Sequence, residues 1–222
     1  HNNQVLSNAW QTGAQAGVLI TGSSGVELEF NQLSGNGSSA GSYVAALYVQ
    51  HLTPTSSLLS VNHNVISDAY GVGIDYADTN NNDTSTMQNN AICSMPSLEL
   101  VNQRSGHMID AHYGWWGTNT PTQGTNPLVD VFSGEATIVP WITLSMTTVP
   151  TRVVATPGTT ATIQVTMNDG AGHTAPEGAR DVHLTTNAGM IVPDVVTLDA
   201  NGLAESTLTL AGIPAEGQVV IT

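Results

Sequence analysis

The 222-residue sequence contains no lysine, and its only arginines are Arg104, Arg152 and Arg180. Against these stand 17 acidic residues, for a formal net charge of −14. Nucleic-acid binding needs Lys and Arg to neutralise phosphate, so that class of partner is excluded. Attraction to an anionic membrane surface fails for the same reason. Cysteine is nearly absent as well: Cys93 alone cannot close an internal disulfide. No apolar run approaches the length of a helical membrane span, so direct membrane insertion is not expected of this segment.

Small polar residues fill the space that charge leaves. Gly, Ser, Thr and Asn keep a surface hydrated without long flexible side chains, and 40% hydrophobic residues still supply a core. This balance is read as extracellular. The sequons at Asn36 and Asn82 are candidate glycosylation sites. The chain opens "HNNQVLSNAW", without Met and in the middle of a pattern, as expected of a processed or partial chain with a targeting segment upstream.

That pattern is a repeat. "QVLS" from Gln4, "NQLS" from Asn31, "NVIS" from Asn64 and "NAIC" from Asn90 share a polar residue followed two places later by an aliphatic one. "GWWG" from Gly114 continues the series. Apolar pairs precede most copies at a two-residue interval: Val26/Leu28, Leu59/Val61, Ser85/Met87 and Ile109/Ala111. Such spacing marks strands with one face inward. Val18, Leu47, Val72 and Leu98 mark a further strand per unit. Units of about three short strands cannot bury a face alone and must stack into a solenoid. Asn31, Asn64 and Asn90 are then expected to form a ladder, each amide reaching the next coil.

These residues resemble right-handed parallel β-helix proteins of the pectate-lyase-like type, including their surface-protein branch, over residues 1–142. In that family the last coil often reads Asn-Trp-Trp-Gly, followed by a Pro-containing loop and Pro-Trp. The matches are Gly114-Trp115-Trp116-Gly117, Pro121 and Pro140-Trp141. Gly114 replaces the Asn, so the ladder is expected to stop one coil early. Trp115, Trp116 and Trp141 form the candidate structural cap, with Trp116 in the inward column of Leu33, Ile66 and Ile92. The competing reading is an aromatic platform for sugars.

After Trp141 the pattern changes to short alternating strands with turns at Asn168-Asp169-Gly170 and Asn201-Gly202. That spacing argues for an antiparallel β-sandwich over 143–222, with Ile163, Val165, Met167, Val182, Leu184, Leu208 and Leu210 inward. Asp169 with Gly172, Pro176 with Gly178, and Asp199 through Ala204 resemble the bacterial immunoglobulin-like domains of invasin and intimin. The resemblance implies a non-catalytic spacer or presenter. The expected fold class is therefore all-β: a right-handed parallel β-helix followed by an immunoglobulin-like sandwich.

Candidate chemistry is sparse. Glu27 and Glu29 share an outward strand face and form a candidate acid/base pair, which Asp110 and His112 can join. Strand alternation alone also puts polar residues there. Lyases of this fold generally use Ca²⁺-binding Asp residues with a basic side chain, and the solenoid offers only Arg104. Asp75, Asp78 and Asp83 are weak Ca²⁺ candidates in an amide-rich loop, with a solvated acidic loop as the plainer alternative. No catalytic residue, cofactor or enzymatic activity is expected. The expected function is a structural surface protein of a bacterium or archaeon: a sheath, surface-layer, filament or adhesin-like subunit whose partners are copies of itself or other surface proteins. The alternative is a carbohydrate-binding or polysaccharide-degrading β-helix.

Overall fold

The computed structural model describes residues 3–6, 16–22, 25–36, 45–50, 59–77, 85–124, 131–152, 154 and 156–211. The chain divides into two compact units, His1–Ile142 and Thr143–Thr222.

The first unit is a parallel β-solenoid. Its strands are β1 (Gln4–Leu6), β2 (Ala16–Thr21), β3 (Val26–Glu29), β4 (Gln32–Ser34), β5 (Ala45–Gln50), β6 (Leu59–Asn62) and β7 (Val65–Ser67). They continue with β8 (Val72–Tyr76), β9 (Ala91–Cys93), β10 (Leu100–Asn102), β11 (Ile109–Asp110), β12 (Phe132–Ser133) and β13 (Ala136–Thr137). One sheet runs β1-β4-β7-β9, and a second runs β12-β10-β8-β5-β2. The third joins β3 to β6 and β11 to β13. The Ser60–Thr86 and Thr86–Asp110 bridges connect those two pairs. All these pairings are parallel. The chain therefore visits the three sheets in turn and climbs one strand spacing per coil.

Apolar residues from all three sheets meet inside: Leu33, Ile66 and Ile92 from the first, Leu47, Ile74 and Leu100 from the second, Leu59, Val61 and Ile109 from the third. Two columns differ from the sequence expectation. Gln4 pairs with Gln32, so Asn3 and not Gln4 occupies the column of Asn31. Three adjacent polar residues, Asn2, Asn3 and Gln4, leave that register undetermined by pattern. In the second sheet Val18 and Leu47 align with Ile74 and Leu100, not with Val72 and Leu98. A two-residue slip keeps the same face inward, so alternation cannot detect it.

Two corners of each coil are made by left-handed residues. Phe30, His63, Asn89 and Tyr113 have φ between 55° and 60° and turn the chain from the third sheet into the first. Gly35, Asp68, Ser94 and Gly117 do the same on leaving the first sheet.

The second unit has strands β14 (Thr143–Val149), β15 (Thr160–Asn168), β16 (Asp181–His183), β17 (Met190–Val192), β18 (Val195–Thr197) and β19 (Leu203–Thr209). They form an antiparallel sheet, β14-β15-β19-β17, and an antiparallel pair, β16-β18. Alternate residues of β15 are buried: Ala161, Ile163, Val165 and Met167. Leu208 and Leu210 are buried, as are Leu184, Val196 and Leu198, while Val182 is only partly so.

Candidate functional site

The Asn ladder occupies the corner between the third and first sheets. Asn31, Asn64 and Asn90 are buried, which obliges their amides to find partners. Asn31 donates its backbone N–H and Nδ2 to Asn64 Oδ1, at 2.9 and 3.0 Å. Asn64 repeats both bonds to Asn90 Oδ1, at 2.9 and 3.1 Å. The second Nδ2 proton reaches main-chain carbonyls: Asn64 to Leu28 at 2.7 Å and Asn90 to Val61 at 2.6 Å. Asn3 extends the column one coil below, donating to Asn31 Oδ1. Gly114 follows Asn90, and a Cβ there would lie 3.1 Å from the Trp116 ring.

Trp116 continues the Leu33–Ile66–Ile92 column, since Ala91 bridges Trp115. It is 2% exposed and belongs to the apolar cluster. Its Nε1 is buried without a hydrogen-bond partner among the described residues. Trp115 is half-buried. Trp141 packs against the cluster and donates Nε1 to the Asn119 carbonyl at 3.2 Å.

The outer face of the third sheet carries the residues with chemical potential. Glu27, Ser60, Thr86 and Asp110 form one column by register, and Glu29 and Asn62 belong to a second. Gln88 and His112 continue the second column two places after Thr86 and Asp110. Hydrogen bonds run along the stack: Ser60 Oγ to Glu29 Oε1 at 3.4 Å, Asn62 Nδ2 to Ser60 Oγ at 2.6 Å, and Gln88 N–H to Asn62 Oδ1 at 2.8 Å. Gln88 Nε2 then donates to Asp110 Oδ2 at 2.6 Å, and the other Asp110 oxygen contacts His112 Nδ1. The fold thus brings Asp110 and His112 together. Glu27 and Glu29 stand on the first coil, with two coils between them and that pair. Beside this row lie the corner aromatics: Phe30 stacks on His63 with centroids 4.8 Å apart, and Tyr113 tilts against His112 at 5.6 Å. Strand alternation alone places Gln88 on this outward face with the carboxylates and His112, but does not reveal its bond to Asp110.

Other candidates separate. Asp75 is 0% exposed and accepts both bonds of Gln103 Nε2, at 2.9 and 3.0 Å. Asp78, Asp83 and Asn82 lie outside the described residues. Among the described residues no group of three or more His, Cys, Asp or Glu side chains is placed to hold a metal. Arg104 is buried over the Tyr76 ring, 5.2 Å from its centroid. Asn36 is 0% exposed and its Nδ2 donates to the Val5 carbonyl at 2.8 Å. That is the nitrogen to which an N-linked glycan attaches. A sequon carries no information about burial.

Three further groups escaped the sequence. Asn102 is buried and its Nδ2 donates to the His107 and Glu135 carbonyls, both at 2.7 Å, closing the corner between second and third sheets. Burial pushes the Glu99 carboxyl up to about 7, against the opposing effect of a backbone hydrogen bond. Burial also raises the nearby Cys93 thiol; a Ser94 hydrogen bond works against this, and the charges of Asp68 and Glu99 add to it.

No family model, curated protein or solved structure matches the chain.

Proposed function

We propose that this chain is a structural subunit of an extracellular cell surface, of the sheath, surface-layer, filament or adhesin-like kind, acting through self-assembly or cell-surface contact. The observation that carries this reading is the Asn31–Asn64–Asn90 ladder, in which buried polar groups serve coil-to-coil stacking. A fold that commits its buried amides to stacking is suited to mechanical persistence. The charge-poor, lysine-free composition supports the same reading, since it permits close lateral packing of neighbours. The solenoid is assigned a right-handed coil and the second unit an immunoglobulin-like sandwich serving as spacer. That second assignment is supported by the antiparallel sheet, the separate strand pair and the alternating burial of β15. The expected partners are copies of itself or other surface proteins.

Electron microscopy of the purified chain, with sedimentation at rising concentration, tests the proposal. Filaments, a lattice or concentration-dependent association is the expected result. A chain that stays monomeric and depolymerises a polysaccharide, with activity lost in Glu27→Ala or Asp110→Ala, contradicts it.

A further inference from the structure

The four-stranded sheet of the second unit turns one face to its core and the other away from it. Cross-strand partners share a face, so the register lays out the outer one row by row. One row crosses all four strands: Val149, Thr162, Thr207 and Val192. Two places along β15, Gln164 stands opposite Glu205. Val149 and Val192 are each 54% exposed, and Met190 and Leu203 on the same face are exposed as well. Among the described residues Glu205 is the only ionisable side chain on this face, and Gln164 Nε2 donates to it at 2.9 Å. An apolar and hydroxyl-bearing face with a single carboxylate is out of character for a chain of net charge −14.

We infer that this face docks on the same face of a second copy, about a twofold axis parallel to the strands and midway between β15 and β19. The inference rests on the self-assembly reading above and names its contact surface. The row is what singles out a second copy as the occupant. It reads Val-Thr-Thr-Val in either direction, and rotation about that axis sets Val149 against Val192 of the second copy and Thr162 against its Thr207. The same rotation sets Glu205 over Gln164 of the second copy. The one carboxylate therefore meets an amide donor and not its own counterpart, which is the self-complementarity an isologous interface requires. A net charge of −14 opposes the approach of two copies, and least where the approaching faces carry little charge. Sheets packed face to face stand about 10 Å apart with their side chains interleaved. A strand spacing of about 4.8 Å and a rise of about 3.4 Å per residue give the face a footprint of roughly 450 Å². Two copies then bury roughly 900 Å², short of the about 1,200–2,000 Å² of a stable complex. One such contact is weak alone and holds where an array repeats it.

Sedimentation equilibrium of the whole chain, from about 10 μM to about 1 mM, is the test. The wild type gains mass with concentration. Val149→Glu and Val192→Arg each weaken association about tenfold or more, since each sets a charge against a valine of the second copy. Within one copy the two positions lie on the outer strands, about 14 Å apart by strand spacing, so their charges pair only across the axis. The double variant therefore regains association above both single variants. A wild type that associates while both single variants associate equally well overturns the inference and leaves the assembly reading standing. A double variant no better than the single ones overturns it too. So does a wild type that stays monomeric throughout, and that result counts against self-assembly as well.

Discussion

The two units hold their corners in different ways. In the solenoid, a corner amide serves the next coil: Asn64 Oδ1 takes two bonds from Asn31, and Asn64 gives two to Asn90. In the antiparallel unit, a corner carboxylate serves its own turn. Asp169 accepts N–H bonds from Ala171 and His173, at 2.8 and 3.1 Å, and contacts the His173 ring at 2.6 Å. Asp199 likewise accepts from Asn201 and Leu203, at 2.8 and 2.9 Å. The difference teaches where charge is tolerated. A self-contained turn gathers donors around one carboxylate. A ladder stacks identical groups on neighbouring strands, about 4.8 Å apart, where carboxylates would repel and would lack the donor each rung needs. Amides, with both donor and acceptor, are the side chains that repeat.

The sharpest way to break this contrast is Asn64→Asp. It deletes the Nδ2 donors to Leu28 and Asn90 and buries a charge, at a cost of roughly 3–5 kcal/mol. All four tryptophans lie in the first unit, so intrinsic tryptophan fluorescence during urea denaturation reads the solenoid alone. Its midpoint should fall sharply, while Asp199→Asn should leave that signal unchanged. Trp116→Ala is comparable, about 3–5 kcal/mol in the same assay, because it empties a buried position that the next coil does not fill. Trp115→Ala, at a half-buried position, should cost clearly less.

Acid titration separates the units by sign. Glu99 has a native value of about 7 against an ordinary 4.5, so its contribution is fullest when protonated and is lost as pH rises through about 7. Glu99→Gln should remove that loss, on the order of 2 kcal/mol at pH 8 after discounting for partial exposure. Fluorescence-detected melting across pH 4 to 8 checks it. The smallest effect runs the other way in the second unit. Burial works against the Asp169 charge, but the His173 ring and the Ala171 and His173 N–H groups outweigh it and hold the carboxyl below its usual range. Its contribution is therefore present above the ordinary carboxylate value and lost as pH falls through the lowered one. Circular dichroism of Asp169→Asn should show a modest loss at pH 7 that disappears toward pH 2.

The same contrast explains what was legible in the sequence. The ladder was visible because Asn31, Asn64 and Asn90 recur before inward aliphatics. The all-β architecture and the parallel solenoid followed from those columns. The first coil slipped by one residue because Asn2, Asn3 and Gln4 look alike to the pattern, and the second sheet slipped by two because strand period hides even shifts. Burial of Asp75 and Asn36 was invisible, since alternation and sequon both speak only of local chemistry. The aromatic corner was invisible for a different reason. Left-handed backbone is anticipated at Gly or Asn, as at Gly35 and Asn89, and not at Phe30 or Tyr113.

Hydrogen exchange measured by NMR on wild type and Asn90→Ala tests the ladder most directly. The backbone N–H of Asn64 donates to the side chain that this substitution deletes. The account predicts a strongly protected Asn64 N–H in the wild type, protection reduced by about a hundredfold or more in the variant, and unchanged exchange at Ile163 in the second unit. An Asn64 N–H that exchanges freely in the wild type, or that keeps its protection in the variant, would contradict the claim that buried amides join the coils.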